Sequence, residues 1–211
     1  MINALKRLRN NVLLWYYTGG IGKTIEYDDR VICFVEGSKI KKDYIYCPSI
    51  EIQNLVNKPV YFIFNGIAAT STVFKIIGLG NSNIQISNCT FSGYLSVETK
   101  GECVLDNSRI SFLNMVSIKA KNIFVSSFST YGNNYGSGIM LRAENHIFIK
   151  SSNLGGLDTR INLKAKDLAS ITESVIKGLN FSCESDIFNV DSQSQLNISN
   201  NDIKTKQYSR G

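Results

Sequence analysis

The 211-residue chain is 43% hydrophobic and carries 23 basic against 17 acidic residues, a formal charge of +6. That length and apolar content suit one domain with a buried core, and the charge surplus is too mild and too evenly spread for a dedicated nucleic-acid binder. A single histidine, His146, argues against multi-histidine metal sites, and five cysteines without a CxxC pair describe neither a disulfide framework nor a zinc site; no metal and no cofactor are expected.

In chain order, residues 2–17 come first. Ile2, Leu5, Leu8, Val12 and Trp15 recur at three- or four-residue steps, with Lys6, Arg7 and Arg9 mostly off that stripe. This predicts an amphipathic helix. Its ordinary role is to cap one end of the fold; a membrane-surface or protein contact through residues 2–17 is the sharper alternative. The apolar run is too short for a signal peptide or a membrane span, so a cytoplasmic location is expected, possible membrane-peripheral contact aside. Thr18-Gly-Gly-Ile-Gly-Lys-Thr24 imitates a phosphate loop, but Tyr17 stands where the first glycine belongs, so a glycine turn is expected. Residues 1–30 then form the cap. Val31, Cys33 and Val35 alternate, as do Ile50 and Ile52, and Val60–Phe64 is aromatic and β-branched; residues 31–79 read as strands.

From there a hidden repeat takes over. It reads apolar-x-apolar, apolar-x-apolar, then one more apolar residue: Ile77-Gly-Leu79, Ile84-Gln-Ile86, Phe91, and so on to Phe188-Asn-Val190, Leu196-Asn-Ile198, Ile203. The anchors Ile86, Leu105, Val125, Ile149, Ile171 and Ile198 are 19 to 27 residues apart. Such a motif, returning about every twenty residues, means stacked coils. Alternate residues share a face, so the anchors should form one interior column. The repeat lacks the constant six-residue step of left-handed hexapeptide solenoids and the leucine consensus of leucine-rich repeats. The prediction is an all-β, right-handed parallel β-helix (solenoid) over residues 31–205, with the N-terminal amphipathic capping helix before it and a disordered tail at 206–211.

Two residues past each anchor stand Asn88, Asn107, Ser127, Ser151, Glu173 and Asn200. Asparagine tolerates left-handed backbone angles at a sharp corner. Through Ile84-Gln-Ile86-Ser-Asn88 and Leu196-Asn-Ile198-Ser-Asn200, residues 74–205 resemble the right-handed parallel β-helix superfamily typified by pectate lyases. The resemblance is architectural. Many members act on polysaccharides, and others are adhesins, tail fibres or accessory proteins of polysaccharide synthesis, so it implies a fold and leaves the function to the site.

The acidic residues do not line up as a catalytic pair or calcium site would require; Asp158 with Asp167, or Glu173 with Glu144, would have to meet through loops. Positive charge does line up. Lys119, Arg142 and Lys164 follow the first-strand apolar pair in three successive coils, and Lys100, Lys121 and Lys166 stand two residues further on in theirs. Beside them, Tyr131 and Tyr135 in the glycine-rich loop 128–138, with Asp158 and Arg160 in the next coil's turn, offer sugar-stacking and hydroxyl-binding groups. These ten residues are the candidate ligand site. The expected function is non-catalytic: binding, or assisting assembly of, an acidic polysaccharide. A lyase or glycoside hydrolase acting on acidic glycans is the enzyme alternative, and a fibre- or oligomer-forming solenoid the structural one.

Overall fold

The computed structural model describes residues 22–26, 31–36, 39–40, 49–53, 59–69, 73–79, 82–131 and 136–211. The expected helix 2–17 and Tyr135 lie outside these residues. Among the described residues every regular element is a strand, eighteen in all. The early ones are short: β1 (Gly22–Glu26), β2 (Val31–Glu36), β3 (Lys39–Ile40), β4 (Ser49–Gln53), β5 (Val60–Asn65), β6 (Ala68–Ala69), β7 (Val73–Leu79) and β8 (Ser82–Ser87). Then come β9 (Thr90–Thr99), β10 (Glu102–Asp106), β11 (Arg109–Ser126), β12 (Ser129–Tyr131), β13 (Gly138–Lys150) and β14 (Asn153–Gly155). The last four are β15 (Arg160–Lys164), β16 (Leu168–Thr172), β17 (Val175–Val190) and β18 (Gln195–Arg210). Gly22, Lys23 and Thr24, expected in a glycine turn, belong to β1 instead, which pairs antiparallel with β2. Every other pairing is parallel and joins one coil to the next, which makes the chain a parallel β-solenoid of about seven turns.

Each full coil has three faces. Face A carries the apolar pairs Leu95/Val97, Val116/Ile118, Ile139/Leu141, Ile161/Leu163 and Phe181/Cys183, joined in register. Face B carries Phe62/Phe64, Ile84/Ile86, Cys103/Leu105, Ile123/Val125, Ile147/Ile149, Ala169/Ile171 and Phe188/Val190 in the same way. Face C is the short third strand, with Phe91, Ile110, Leu154 and Ile176 turned in. All of these side chains are buried. Strand alternation therefore builds one continuous core, with every intervening residue turned outward.

Two expected registers shift. Val190, rather than Ile198, stacks on Ile171, and Ile198 lies beside Gly178 on the following strand. Phe188-Asn-Val190, expected as the first pair of the last coil, is instead the face B pair of a coil that begins at Phe181-Ser-Cys183. At the other end Phe74 and Ile76, rather than Ile77 and Leu79, pair with Leu95 and Val97. Two consecutive isoleucines leave the alternation ambiguous, and a one-residue slip exchanges inside for outside. The C-terminal residues 206–211, expected as a disordered tail, continue β18 to Arg210: Gln207, Tyr208, Ser209 and Arg210 pair with Ile187, Phe188, Asn189 and Val190. Their polarity misled the reading, since a neighbouring backbone edge is enough to order them.

The corner after face B is where the sequence chemistry is most regular. Asn88, Asn107, Ser127, Ser151 and Glu173 all have positive φ, from 40 to 55°, as the asparagine column predicted. Gly66, at φ 68°, precedes them in the same place; Asn200 does not belong to the series. Asn107 Nδ2 donates to Asn88 Oδ1 (2.6 Å), and Asn88 Nδ2 to Asn65 Oδ1 (2.8 Å). Next to this ladder lies a buried one that the sequence reading missed. Ser108, Ser152 and Ser174 each donate a hydroxyl proton to the carbonyl two residues back. Each also accepts a backbone N–H from the previous coil: Cys89, Phe128 and Ser152 respectively. A sharp corner breaks the strand ladder, and these serines satisfy the groups it frees.

Candidate functional site: a charged corner and its adjoining face

The corner between faces A and B has a regular formula, charged-small-charged: Glu98-Thr-Lys100, Lys119-Ala-Lys121, Arg142-Ala-Glu144, Lys164-Ala-Lys166, Glu184-Ser-Asp186 and Lys204-Thr-Lys206. The small residue turns inward. Thr99, Ala120, Ala165 and Ser185 are buried, and Ala143 and Thr205 are half-buried. The charged pair is thereby forced to solvent.

Lys119, Arg142 and Lys164 do stack across three coils, in register. The ladder also continues to both sides with acids. Glu98 pairs with Lys119, and Glu184 pairs with Lys164. Lys119 Nζ lies 2.9 Å from Glu98 Oε1, and Lys164 Nζ lies 2.9 Å from both oxygens of Glu184. The hydrogen bond from Lys119, with its charge, holds the Glu98 carboxyl below the usual range. All four side chains are more than half exposed, so these pairs contribute little, about 0–1 kcal/mol each. They do offset the repulsion of stacked cations. Arg142, at the centre, is exposed and makes no side-chain hydrogen bond or ion pair with the described residues. Lys100, Lys121 and Lys166 are exposed beside it and likewise lack an acidic partner among them. An open groove of about 350 Å³ runs between Lys119, Arg142, Glu144 and Lys164.

The remaining expected site residues are spread more widely. Arg160 begins the strand that ends at Lys164, so it shares face A with the ladder, at the opposite margin. Like Arg142 it is exposed and has no ion-pair partner among the described residues. Tyr131 is 54% exposed at the end of face C, paired with Ser111. The strand segment Gly138–Leu141 separates it from the ladder it was expected to border. Asp158 is half-buried in a turn closed by Thr159 N–H donating to the Gly156 carbonyl (3.0 Å). It stands at the other end of β15 from Asp167, so those two carboxylates are not brought together.

Among the described residues no group of three or more His, Cys, Asp or Glu could hold a metal ion. His146 Nδ1 is hydrogen-bonded to Asn122 Oδ1 (3.1 Å), while Nε2 lies 3.8 Å from Asp167 Oδ2, beyond hydrogen-bond distance. The Asn122 amide is oriented by donating to Glu102 Oε1 (3.1 Å), which leaves its oxygen for the imidazole. Cys89, Cys103 and Cys183 are buried free thiols. Burial pushes Cys103 up to about 12 and Cys183 up to about 11, so neither supplies a thiolate. No helix among the described residues is long and apolar enough to cross a membrane.

Compared with family models, with curated proteins and with solved structures, the chain matches none. The class of the protein, a parallel β-helix, therefore rests on the strand pairing itself.

Proposed function

We propose that this protein binds an acidic polysaccharide, or assists its assembly, without catalysing a reaction on it. The observation that carries the reading is Arg142: an exposed guanidinium, without an ion-pair partner among the described residues, at the centre of an in-register cation ladder. Its neighbours Lys119 and Lys164 are partly neutralised, so the array is tuned in charge while one strong anion-binding group stays open. Guanidinium suits carboxylates because its planar fork matches their two oxygens. Coils rise by about 4.8 Å, so a polymer lying along the axis meets a repeated pattern and does not need a deep pocket. The separated Asp158 and Asp167 weigh against the lyase and hydrolase alternatives.

A glycan array, followed by titration, tests this. Arg142→Ala should weaken binding up to about fivefold, because one exposed charged contact contributes about 1 kcal/mol or less. Lys119→Ala with Arg142→Ala and Lys164→Ala together should weaken it further, and raised salt should do the same. Unchanged binding by the triple variant, or a preference for neutral glycans, rejects the ladder. Depolymerisation of an acidic glycan that is lost on mutating Asp158 or Asp167 would establish the enzyme alternative instead.

A further inference from the structure

Face A holds an opening that packing does not require. Gly138 begins β13, between Met115 on one coil and Arg160 on the next. Glycine weakens a strand interior and needs a reason to be there. Other glycines of the solenoid have one. A Cβ on Gly155 would meet the Lys177 carbonyl oxygen at 2.0 Å, with φ at +84°, and one on Gly178 would meet the Thr159 carbonyl oxygen at 2.8 Å. A Cβ on Gly138 would find only ordinary contacts, Met115 Cε at 3.6 Å and the Arg160 carbonyl oxygen at 3.8 Å, and its φ lies outside the left-handed region. Neither backbone nor neighbours exclude a side chain, and the missing one leaves a notch.

The notch is part of a groove of about 520 Å³ along face A. Half-buried Met115 and Met140 give it an apolar, adaptable wall. Its other side is a ladder of amides. Asn162 Nδ2 donates to Ser182 Oγ (2.8 Å), and Asn180 Oδ1 accepts from Asn200 Nδ2 (3.1 Å). Asn162 keeps its oxygen, and Asn180 its NH₂ group, without a partner among the described residues. A methyl-sized gap beside thioethers shares its groove with one open amide acceptor one coil on and one open amide donor two coils on, groups that suit the methyl, N–H and C=O of an acetamido group. Arg160, paired with Gly138 on the next coil, adds a cation for an adjoining carboxylate.

We infer that the Gly138 notch is a subsite for an N-acetylated hexosamine residue, its acetamido methyl occupying the space a side chain would fill. The inference rests on the glycan reading above and names the sugar that reading leaves open: a polymer in which N-acetylated and carboxylated residues adjoin.

The test is calorimetric titration of the full chain with three probes. These are short hyaluronan oligosaccharides (N-acetyl and carboxylate), oligogalacturonate (carboxylate alone) and chito-oligosaccharide (N-acetyl alone). The wild type should prefer hyaluronan fragments to oligogalacturonate. Gly138→Ala should weaken hyaluronan binding about fourfold, the equivalent of one buried methyl at about 0.8 kcal/mol, and leave oligogalacturonate unaffected. Gly138→Leu should remove the preference. Equal wild-type affinity for the two acidic probes, or a preference that survives Gly138→Leu, overturns the notch and leaves the charged ladder standing. Gly138-dependent binding of chito-oligosaccharide alone upholds the notch and removes the acidic reading. No binding to any probe removes both. Thermal unfolding separates packing from binding: Gly138→Ala should melt at or above the wild-type temperature, and a clear drop would assign the glycine to packing and overturn the inference.

Discussion

The serine column at the corner after face B illustrates how much rests on single hydroxyls. Ser174 is 1% exposed; it donates to the Thr172 carbonyl at 2.7 Å and accepts the Ser152 N–H at 3.0 Å. Ser174→Ala strands a buried amide with no water to replace the bond. Its expected cost is about 1–3 kcal/mol, read from denaturant unfolding; a change below about 0.5 kcal/mol, the usual range of a surface substitution, would show that the corner relaxes around the loss. Only the residue type is visible in the sequence. Serine three positions past an anchor looks like any polar turn residue, and its burial follows from the coil above it.

At the scale of the strand, the face B column is the strongest determinant of the fold. Ile149 lies between Val125 and Ile171 in register and is 1% exposed. Ile149→Ala should cost about 2–5 kcal/mol, the range for truncating a buried isoleucine. Ile149→Asp should abolish soluble folded protein, because a carboxylate there has no partner and no water. Circular dichroism and solubility measure both; a folded, soluble Asp variant would mean that the column is not continuous. Apolar alternation gave this element away, and five of the six anchors stack as their spacing demanded. The failure at Ile198 has a local cause: Phe181-Ser-Cys183 and Phe188-Asn-Val190 are both apolar pairs, and only the partners Ile161 and Leu163 show that the former is the face A pair.

For the whole molecule, the final coil differs from those before it. Asn201, Tyr208 and Arg210 occupy registers held by Phe181, Phe188 and Val190 one coil earlier, while Leu196, Ile198 and Ile203 stay half-buried against the core. The positions of this coil thus mix polar and apolar groups. Acid should loosen this region and the charged corner together. The Ser194 hydroxyl, with the backbone N–H of Glu173 among others, holds the Asp191 carboxyl below its ordinary range, and Lys119 does the same for Glu98. Both groups have folded pKa values lower than unfolded ones. Their contribution is therefore fully present above the ordinary carboxylate range and is lost as pH falls through and below it. Melting temperatures of wild type and Asp191→Asn should differ at neutral pH and converge in acid; a constant gap would deny the linkage.

The sequence alone determined the parallel coils, the left-handed corner at Asn88 and Asn107, and the placing of Lys119, Arg142 and Lys164 in one column. These follow from period and alternation, which are properties of the chain read along its length. Which residues stay free in that column was settled in three dimensions. Glu98 and Glu184 are 86 residues apart in the chain, and only stacking makes them flank one run of cations with Arg142 at its centre. The notch at Gly138 is likewise invisible along the chain, because a glycine's reason for being there depends on what lies above and below it. Period is inherited from the backbone's own repeat; pairing and free space depend on neighbours that the fold brings in from other coils.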